Sequence, residues 1–226
     1  MSADGSCICP RITVDVVIFG LGDESLQVLL VTGRPGAYQG RWAIPGGFLG
    51  ERESLKEAAA RKLEEETGLT DLFLEQLYTF GEPPRDPSQR VITVAYYAVA
   101  PANAMRCVDS AQADRVRWWP CDALPELAWD HAEIVDYALT RLRYKLEYTA
   151  VGFELLPETF TLSELQAAYE IVLGEPLDKR NFRRKILSAD VIEPTAEYRL
   201  GEGRPARLYR YRADAVAEVK ARRLFP

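Results

Sequence analysis

The spacing of hydrophobic positions changes several times along the chain, and each change marks an element. Ile12 to Phe19 and Leu26 to Thr32 are short apolar runs rich in β-branched residues, separated by the turn-forming Leu21-Gly22-Asp23-Glu24-Ser25. They predict two strands. Phe73 to Phe80 and Val91 to Ala100 predict two more. In the second of these, Val91, Thr93 and Ala95 interleave with Ile92, Val94 and Tyr96, which predicts burial on both faces. The loop between them, Gly81 to Arg90, is stiffened by Pro83, Pro84 and Pro87. Val116 to Trp119 reads as a short strand ended by Pro120. Helical spacing takes over from Ser54 to Thr67, where Leu55, Ala58, Ala59 and Leu63 share a face. Ser54 and Glu57 form a capping box there, and Gly68 is the stop. It returns from Asp130 to Tyr148 with Ile134, Ala138, Leu142 and Leu146.

The last part of the chain has a different rhythm. Thr161-Leu162-Ser163-Glu164 opens a helix through about Leu173, with Leu162, Leu165, Ala168, Tyr169 and Val172 as its inner stripe. After the break Gly174-Glu175-Pro176-Leu177, Asp178 caps a second helix, Lys179 to Leu187. Phe182, Ile186 and Leu187 are expected to face inward, leaving Lys179, Arg180, Arg183 and Arg184 outward. Val191 to Leu200 and Arg207 to Tyr211 then predict a hairpin around Gly201-Glu202-Gly203-Arg204-Pro205-Ala206. The pattern therefore divides at about residue 153: an α/β domain over 1–153, and a helix–helix–hairpin domain over 154–226.

Composition narrows the choices. With 47% hydrophobic and 27% charged residues, the chain has the make-up of an ordinary globular protein. No apolar run reaches a membrane span and no signal pattern opens the chain, so a cytoplasmic protein without a membrane partner is expected. Cys7, Cys9, Cys107 and Cys121 are scattered and expected to be reduced; Cys7-x-Cys9 lacks the companion cluster of a metal site. His131 is the single histidine, which excludes a histidine-based metal site or triad and points to a structural role. The net charge of −6 hides an asymmetry, since residues 179–212 alone carry +6. Such segregation suits two domains with different partners.

The chemistry concentrates between Trp42 and Leu69. Pro45-Gly46-Gly47 is a turn signal, and glycine lets backbone amides approach an anion closely. The helix that follows carries clustered carboxylates, a combination suited to magnesium and a diphosphate. Arg61 stands four residues from Glu65, and Lys62 four from Glu66, so the pairs Arg61–Glu65 and Lys62–Glu66 are expected. The spacing Gly47, Glu53, Arg61, Leu63, Glu65, Glu66, Gly68, Leu69 resembles the Nudix box of nucleoside-diphosphate-X hydrolases. One position departs. Where the family carries the first Glu of Arg-Glu-aliphatic-x-Glu-Glu, this chain has Lys62. An ammonium there changes the local charge by two units, and each unit charge at about 4 Å is worth roughly 4 kcal/mol at an effective dielectric near 20. Lys62 is expected to take over the electrostatic task of the cation, and no catalytic residue is expected to operate.

The resemblance implies a Nudix α/β/α sandwich with a mixed sheet. Gly40-x-Trp42-x-x-Pro45-Gly46-Gly47 and the loop Arg85-Asp86-Pro87 are similar to the ADP-ribose-type branch. The ligand-binding residues so implied are Arg34, Gly46, Gly47, Phe48, Glu65, Glu66, Arg85 and Arg90, the arginines by bidentate phosphate contacts. Glu65 and Glu66 are a residual metal pair, with magnesium admitted but not required. Trp42 is read as packing beneath the loop, Trp118 and Trp119 as core and interface, and Glu53 and Glu65 as ties between loop and helix.

Helix, break, basic helix and hairpin is the order of a winged helix-turn-helix. Lys179, Arg180, Asn181, Arg183, Arg184, Arg204 and Arg207 are its candidate DNA contacts, mixing phosphate-binding cations with donors for base edges. Pro157-x-x-Phe160-Thr161-Leu162-x-x-Leu165-Gln166 and Asn181-Phe182-Arg183-Arg184-Lys185 are similar to the C-terminal domain of the Nudix-related transcriptional regulators, the NrtR family. That resemblance implies a homodimeric repressor of NAD metabolism that binds a duplex operator and senses ADP-ribose or a related metabolite. An active, magnesium-dependent ADP-ribose pyrophosphatase with an accessory C-terminal domain is the alternative. A protein-interaction module at the C-terminus is the third reading.

Overall fold

The computed structural model describes residues 9–32, 40–105, 115–148, 150–200, 205–212 and 215. Arg34 and Arg204 of the expected site, with Cys7 and Cys107, lie outside the described residues. The chain forms two compact units: Met1–Ile18, Leu29–Ala98 and Val108–Ala138 in one, Phe19–Val28, Val99–Cys107 and Leu139–Pro226 in the other.

Strands β1 (Arg11–Leu21), β2 (Leu26–Thr32), β3 (Trp42–Ala43), β4 (Gly46–Phe48), β5 (Leu74–Phe80), β6 (Val91–Ala100) and β7 (Val116–Pro120) build one sheet. Its order is β3-β2-β1-β6-β5, with β4 also paired to β1 and β7 to β2. The inner strands β1 and β6 are buried along almost their whole length, as the mostly apolar run Val91–Ala100 predicts for β6. Helix α1 (Leu55–Thr67) starts at Ser54, whose side chain accepts from the Glu57 amide in a complete capping box. It ends at Gly68, which takes a left-handed φ of 73° and donates its N–H to the Glu64 carbonyl. Ala58, Ala59 and Leu63 are its buried stripe. A short helix α2 (Ala102–Met105) and the long α3 (His131–Tyr148) follow.

Two features of this part differ from the sequence pattern. Trp42–Ala43 is a two-residue strand, and Gly46–Phe48 is the strand β4 rather than a turn. Neither Gly46 nor Gly47 has a positive φ. The pairing Asp15↔Gly46, Val14↔Gly47 and Thr13↔Phe48 gives the reason glycine is needed. A Cβ on Gly46 would overlap Asp15 Oδ1 and stand 2.6 Å from the Val14 carbonyl oxygen.

In the C-terminal part, α4 (Leu162–Leu173) carries a second complete capping box, Thr161 with Glu164, and ends at the left-handed Gly174. Helix α5 (Lys179–Ser188) is capped by Asp178, whose carboxylate accepts from the Asn181 amide at 2.7 Å. Strands β8 (Ile192–Arg199) and β9 (Ala206–Tyr211) pair antiparallel, and Phe160 adds a bridge to Tyr209 through amide–carbonyl bonds of 2.9 and 2.8 Å. This is a winged helix. Its core holds Phe160, Leu165, Tyr169, Val172, Phe182 and Ile186, with the Tyr169 and Phe182 rings edge-to-face at 5.5 Å. Leu187 corrects the expected inward set: it is exposed, because only Phe182 and Ile186, one turn apart, point at the core.

Candidate functional site

The box is held by charge pairs between the loop and α1. Arg61 donates from Nε to Glu53 Oε2 at 2.9 Å and from Nη2 to Glu53 Oε1 at 2.5 Å, while the Gly50 amide donates to the same Oε1. These bonds, Arg61 first, pull the Glu53 carboxyl down to about 2. Arg61 Nη1 reaches Glu65 at 3.2 Å, and its Nη2 reaches the Phe48 carbonyl at 3.3 Å. Glu53 thus ties loop to helix as expected, whereas Glu65 departs from that reading, since it accepts from Arg61 and Lys62, both on α1.

Lys62 is placed differently from expectation. Its Nζ donates to Glu65 Oε2 at 2.8 Å, a pair three residues apart, and not to Glu66. Its alkyl stem lies against Gly47, where an added Cβ would stand 2.7 Å from Lys62 Cε. Glu66 turns instead to the loop and accepts from the Gly46 amide at 3.1 Å. Burial raises the Glu66 carboxyl to about 7, with Asp15 and Glu65 adding to the rise and the Gly46 amide and Lys62 opposing it.

These residues do not fit a magnesium ion. A hard cation wants several carboxylate oxygens free for it. Here Glu65 accepts from Lys62 and Arg61, Glu53 accepts from Arg61 and Gly50, and Lys62 itself has no lone pair to give while protonated. Among the described residues, no three His, Cys, Asp or Glu side chains come together as a metal-holding group.

Beside the box lies a cavity of about 310 Å³, within the range of small-molecule sites. Of the expected ligand residues, Gly46, Gly47, Phe48 and Arg85 line it, while Glu65, Glu66 and Arg90 do not. Thr13, Asp15, Ile44, Asp86, Ser88, Gln89, Val91, Trp129 and His131 complete the wall. Arg85 is almost wholly buried, and its bidentate fork is spent on Asp130, with Nε–Oδ2 and Nη2–Oδ1 both at 2.9 Å and Asp15 Oδ2 at 3.5 Å. The expected bidentate phosphate contact is therefore corrected: the carboxylate of Asp130 occupies that fork. Arg90 uses its backbone carbonyl to accept from the Arg11 amide at 2.9 Å.

His131 is structural, as read from the sequence, and also part of the wall. Its Nδ1 accepts from the Ile44 amide at 3.1 Å, and burial lowers its pKa, so the ring is neutral with its proton on Nε2. Trp42 packs edge-to-face on Trp119 with centroids 5.4 Å apart and is not on the wall. The aromatic that sequence reasoning missed is Trp129. It has a φ of 50°, is 46% exposed, and sits 5.1 Å from the His131 ring. A bulky side chain in that region costs about 1–3 kcal/mol.

In the winged helix, Lys179, Arg180 and Arg184 are exposed on α5, and Arg207 is exposed on β9 opposite Tyr198. Arg184 Nη2 donates to Asn181 Oδ1 at 2.7 Å, fixing one side chain against the other. Arg183 is half-buried, and its Nη2 donates to Ser163 Oγ at 3.1 Å on the first turn of α4. The expectation of Arg183 as fully outward is corrected by that contact. Tyr198 on β8 and Leu200 just after it are exposed.

A Nudix-type α/β domain with its box closed by a lysine, followed by a winged helix showing a basic helix, defines a Nudix-related winged-helix protein. Family models agree in both parts: the NUDIX domain matches residues 10–138, and the NrtR DNA-binding winged helix domain matches residues 152–211. The chain belongs to the Nudix domain family and, within it, to the NrtR-type proteins. It is 38% identical over 206 residues to the ADPR responsive transcriptional repressor NtrR of Acinetobacter baylyi, covering 89% of this chain and 82% of that one. The crystal structure of Shewanella oneidensis NrtR complexed with a 27mer DNA matches with a TM-score of 0.83 at 38% identity, over 95% of this chain and 99% of that chain. The NUDIX domain of the same Shewanella protein complexed with ADP ribose matches with a TM-score of 0.51 at 34% identity, over 62% of this chain and 94% of that chain.

Proposed function

We propose that this protein is an ADP-ribose-responsive transcriptional repressor. In this reading the region 1–153 is the effector-binding domain and 154–226 the DNA-binding domain. The observation that carries it is the pairing, in one chain, of a box whose acidic position is filled by Lys62 with a winged helix that exposes Lys179, Arg180 and Arg184. Lys62 beside Gly47 favours a diphosphate without a metal, Glu66 holds the Gly46 amide and Glu65 holds Lys62. Lys179, Arg180, Asn181, Arg184 and Arg207 contact the operator, with Arg183 setting α5 against α4. Since ADP-ribose is a breakdown product of NAD, genes of NAD metabolism are the expected targets. A homodimer matches the two-fold symmetry that operators usually have.

The test is fluorescence anisotropy on promoter DNA lying upstream of its own gene, titrated with ADP-ribose and with NAD. Salt-sensitive binding that ADP-ribose changes at micromolar concentration is expected. Indifference of the complex to ADP-ribose, or no preference for that DNA over random duplex, would overturn the reading. Brisk magnesium-dependent release of AMP from ADP-ribose by the unmodified protein would favour the pyrophosphatase alternative.

A further inference from the structure

The first turn of α5 is built against its own electrostatics. Lys179 and Arg180 stand there with no acidic residue beside them in the turn, whereas the amide end of a helix favours negative charge. Asp178 caps it through the Asn181 amide. Phe182 and Ile186 anchor the later turns in the core, but Lys179 and Arg180 are exposed. A helix end of this kind frays unless the chain entering it is held.

That chain is held by α4. Glu170 Oε1 accepts from the Leu177 amide at 2.8 Å and from Gln166 Nε2 at 2.9 Å, and Gln166 Nε2 also donates to the Leu177 carbonyl at 3.0 Å. The bonds close a ring that engages both backbone polar groups of Leu177, the residue next to the cap. Gln166 and Glu170 are four residues apart and therefore stack on one face of α4. The ring needs their chemistry: the amide nitrogen of Gln166 donates twice, and one oxygen of Glu170 accepts twice.

We infer that Gln166 and Glu170 are positioning residues for operator recognition, placing the first turn of α5 through Leu177 and Asp178. This rests on the reading of the chain as an operator-binding protein. In a helix-turn-helix the first residues of the recognition helix meet the bases, whereas phosphate contacts carry no sequence information. A displaced first turn therefore costs discrimination and leaves the general attraction of the cations for duplex.

The full chain is compared with Glu170→Ala, Glu170→Gln and Gln166→Met. Both Glu170 variants lose the same charge and only the glutamine keeps an acceptor, so their difference reads the ring alone. Gln166→Met breaks the bonds from Nε2 with no change of charge. Anisotropy gives the affinity for promoter duplex and for random duplex of equal length, and hydrogen exchange followed by NMR reads the Leu177 amide.

Glu170→Ala and Gln166→Met lower the promoter-to-random ratio by roughly tenfold, the worth of about one base contact, with random-duplex affinity unchanged. Glu170→Gln keeps most of the ratio. The Leu177 amide exchanges roughly tenfold faster in Glu170→Ala than in Glu170→Gln, the worth of one hydrogen bond. Equal loss of promoter and random binding would make these residues part of general stability and overturn the inference. So would a ratio as low in Glu170→Gln as in Glu170→Ala, or a Leu177 amide that exchanges alike in the two. Should the native chain prefer neither duplex while Leu177 exchange differs as expected, the operator reading falls and the ring stands as the anchor of α5.

Discussion

Lys62 and Glu66 show how much one residue decides in this fold. Lys62 supplies a cation to Glu65 at the position where the family's box carries a carboxylate. In Lys62→Glu that cation is lost and a further carboxylate joins Glu65 and Glu66, and their repulsion is relieved only by added metal. The expected outcome is that magnesium against EDTA shifts the melting temperature of the native chain by about 1 °C or less. It raises that of Lys62→Glu by several degrees, as binding to the folded state requires. Equal shifts in the two proteins would count against the assignment. Glu66 makes a pH prediction. Its folded-state value of about 7 stands above the ordinary 4.5, so between these values the folded chain keeps a proton that the unfolded chain has released. Its contribution therefore favours folding below about 4.5 and is lost as pH rises towards 7, an upper bound of roughly 3 kcal/mol at 1.36 kcal/mol per unit. His131, lowered by burial, works the other way as pH falls, so the native curve alone does not isolate Glu66. The difference between native chain and Glu66→Gln in urea denaturation does: the variant gains relative stability from pH 5 to 7, and a flat difference would refute it.

At the scale of elements, the glycines of β4 make a comparison that separates backbone from side-chain crowding. Gly46→Ala drives a Cβ into Asp15 and the Val14 carbonyl, so β4 has to move off β1 and the Gly46–Glu66 bond is lost; a cost of roughly 1–3 kcal/mol or more is expected. Gly47→Ala meets only the end of the Lys62 chain, which can swing away, so it costs clearly less. Denaturant midpoints rank the two, and equal losses would contradict the strand geometry. The same strand shows why some of the fold was legible in the sequence and some not. Both capping boxes were readable because Ser54 with Glu57, and Thr161 with Glu164, act within three residues. β6 was readable because burial on both faces leaves a run that is apolar apart from Thr93. β4 was not, since the reason for Gly46 is Asp15 on another strand. The cavity was legible only where it borrowed the box motif, at Gly46, Gly47 and Phe48. Asp15, Trp129 and His131 reach its wall from segments that only sheet order unites, and nothing local announces the left-handed turn at Trp129. Leu187 failed for a related reason: helical spacing gives a stripe but not its width, and two residues, Phe182 and Ile186, already fill it.

For the molecule as a whole, a net charge of −6 means that a polyanion can be bound only where cations are segregated, and α5 with Arg207 is such a place. Each phosphate neutralised contributes about 0.9 to the slope of log affinity against log salt, so Arg180→Ala with Arg184→Ala should lower that slope by about 1–2 while leaving ADP-ribose binding as it was. Communication between effector and operator has a second, stricter signature that needs no knowledge of the path between them. If ADP-ribose changes operator affinity by some factor, saturating operator must change ADP-ribose affinity by the same factor. Calorimetric titration of ADP-ribose with and without operator, beside anisotropy titration of operator with and without ADP-ribose, measures both sides. Unequal factors would mean that effector and operator do not meet in a single linked equilibrium, and a repressor built on this chain would then need a further component to respond.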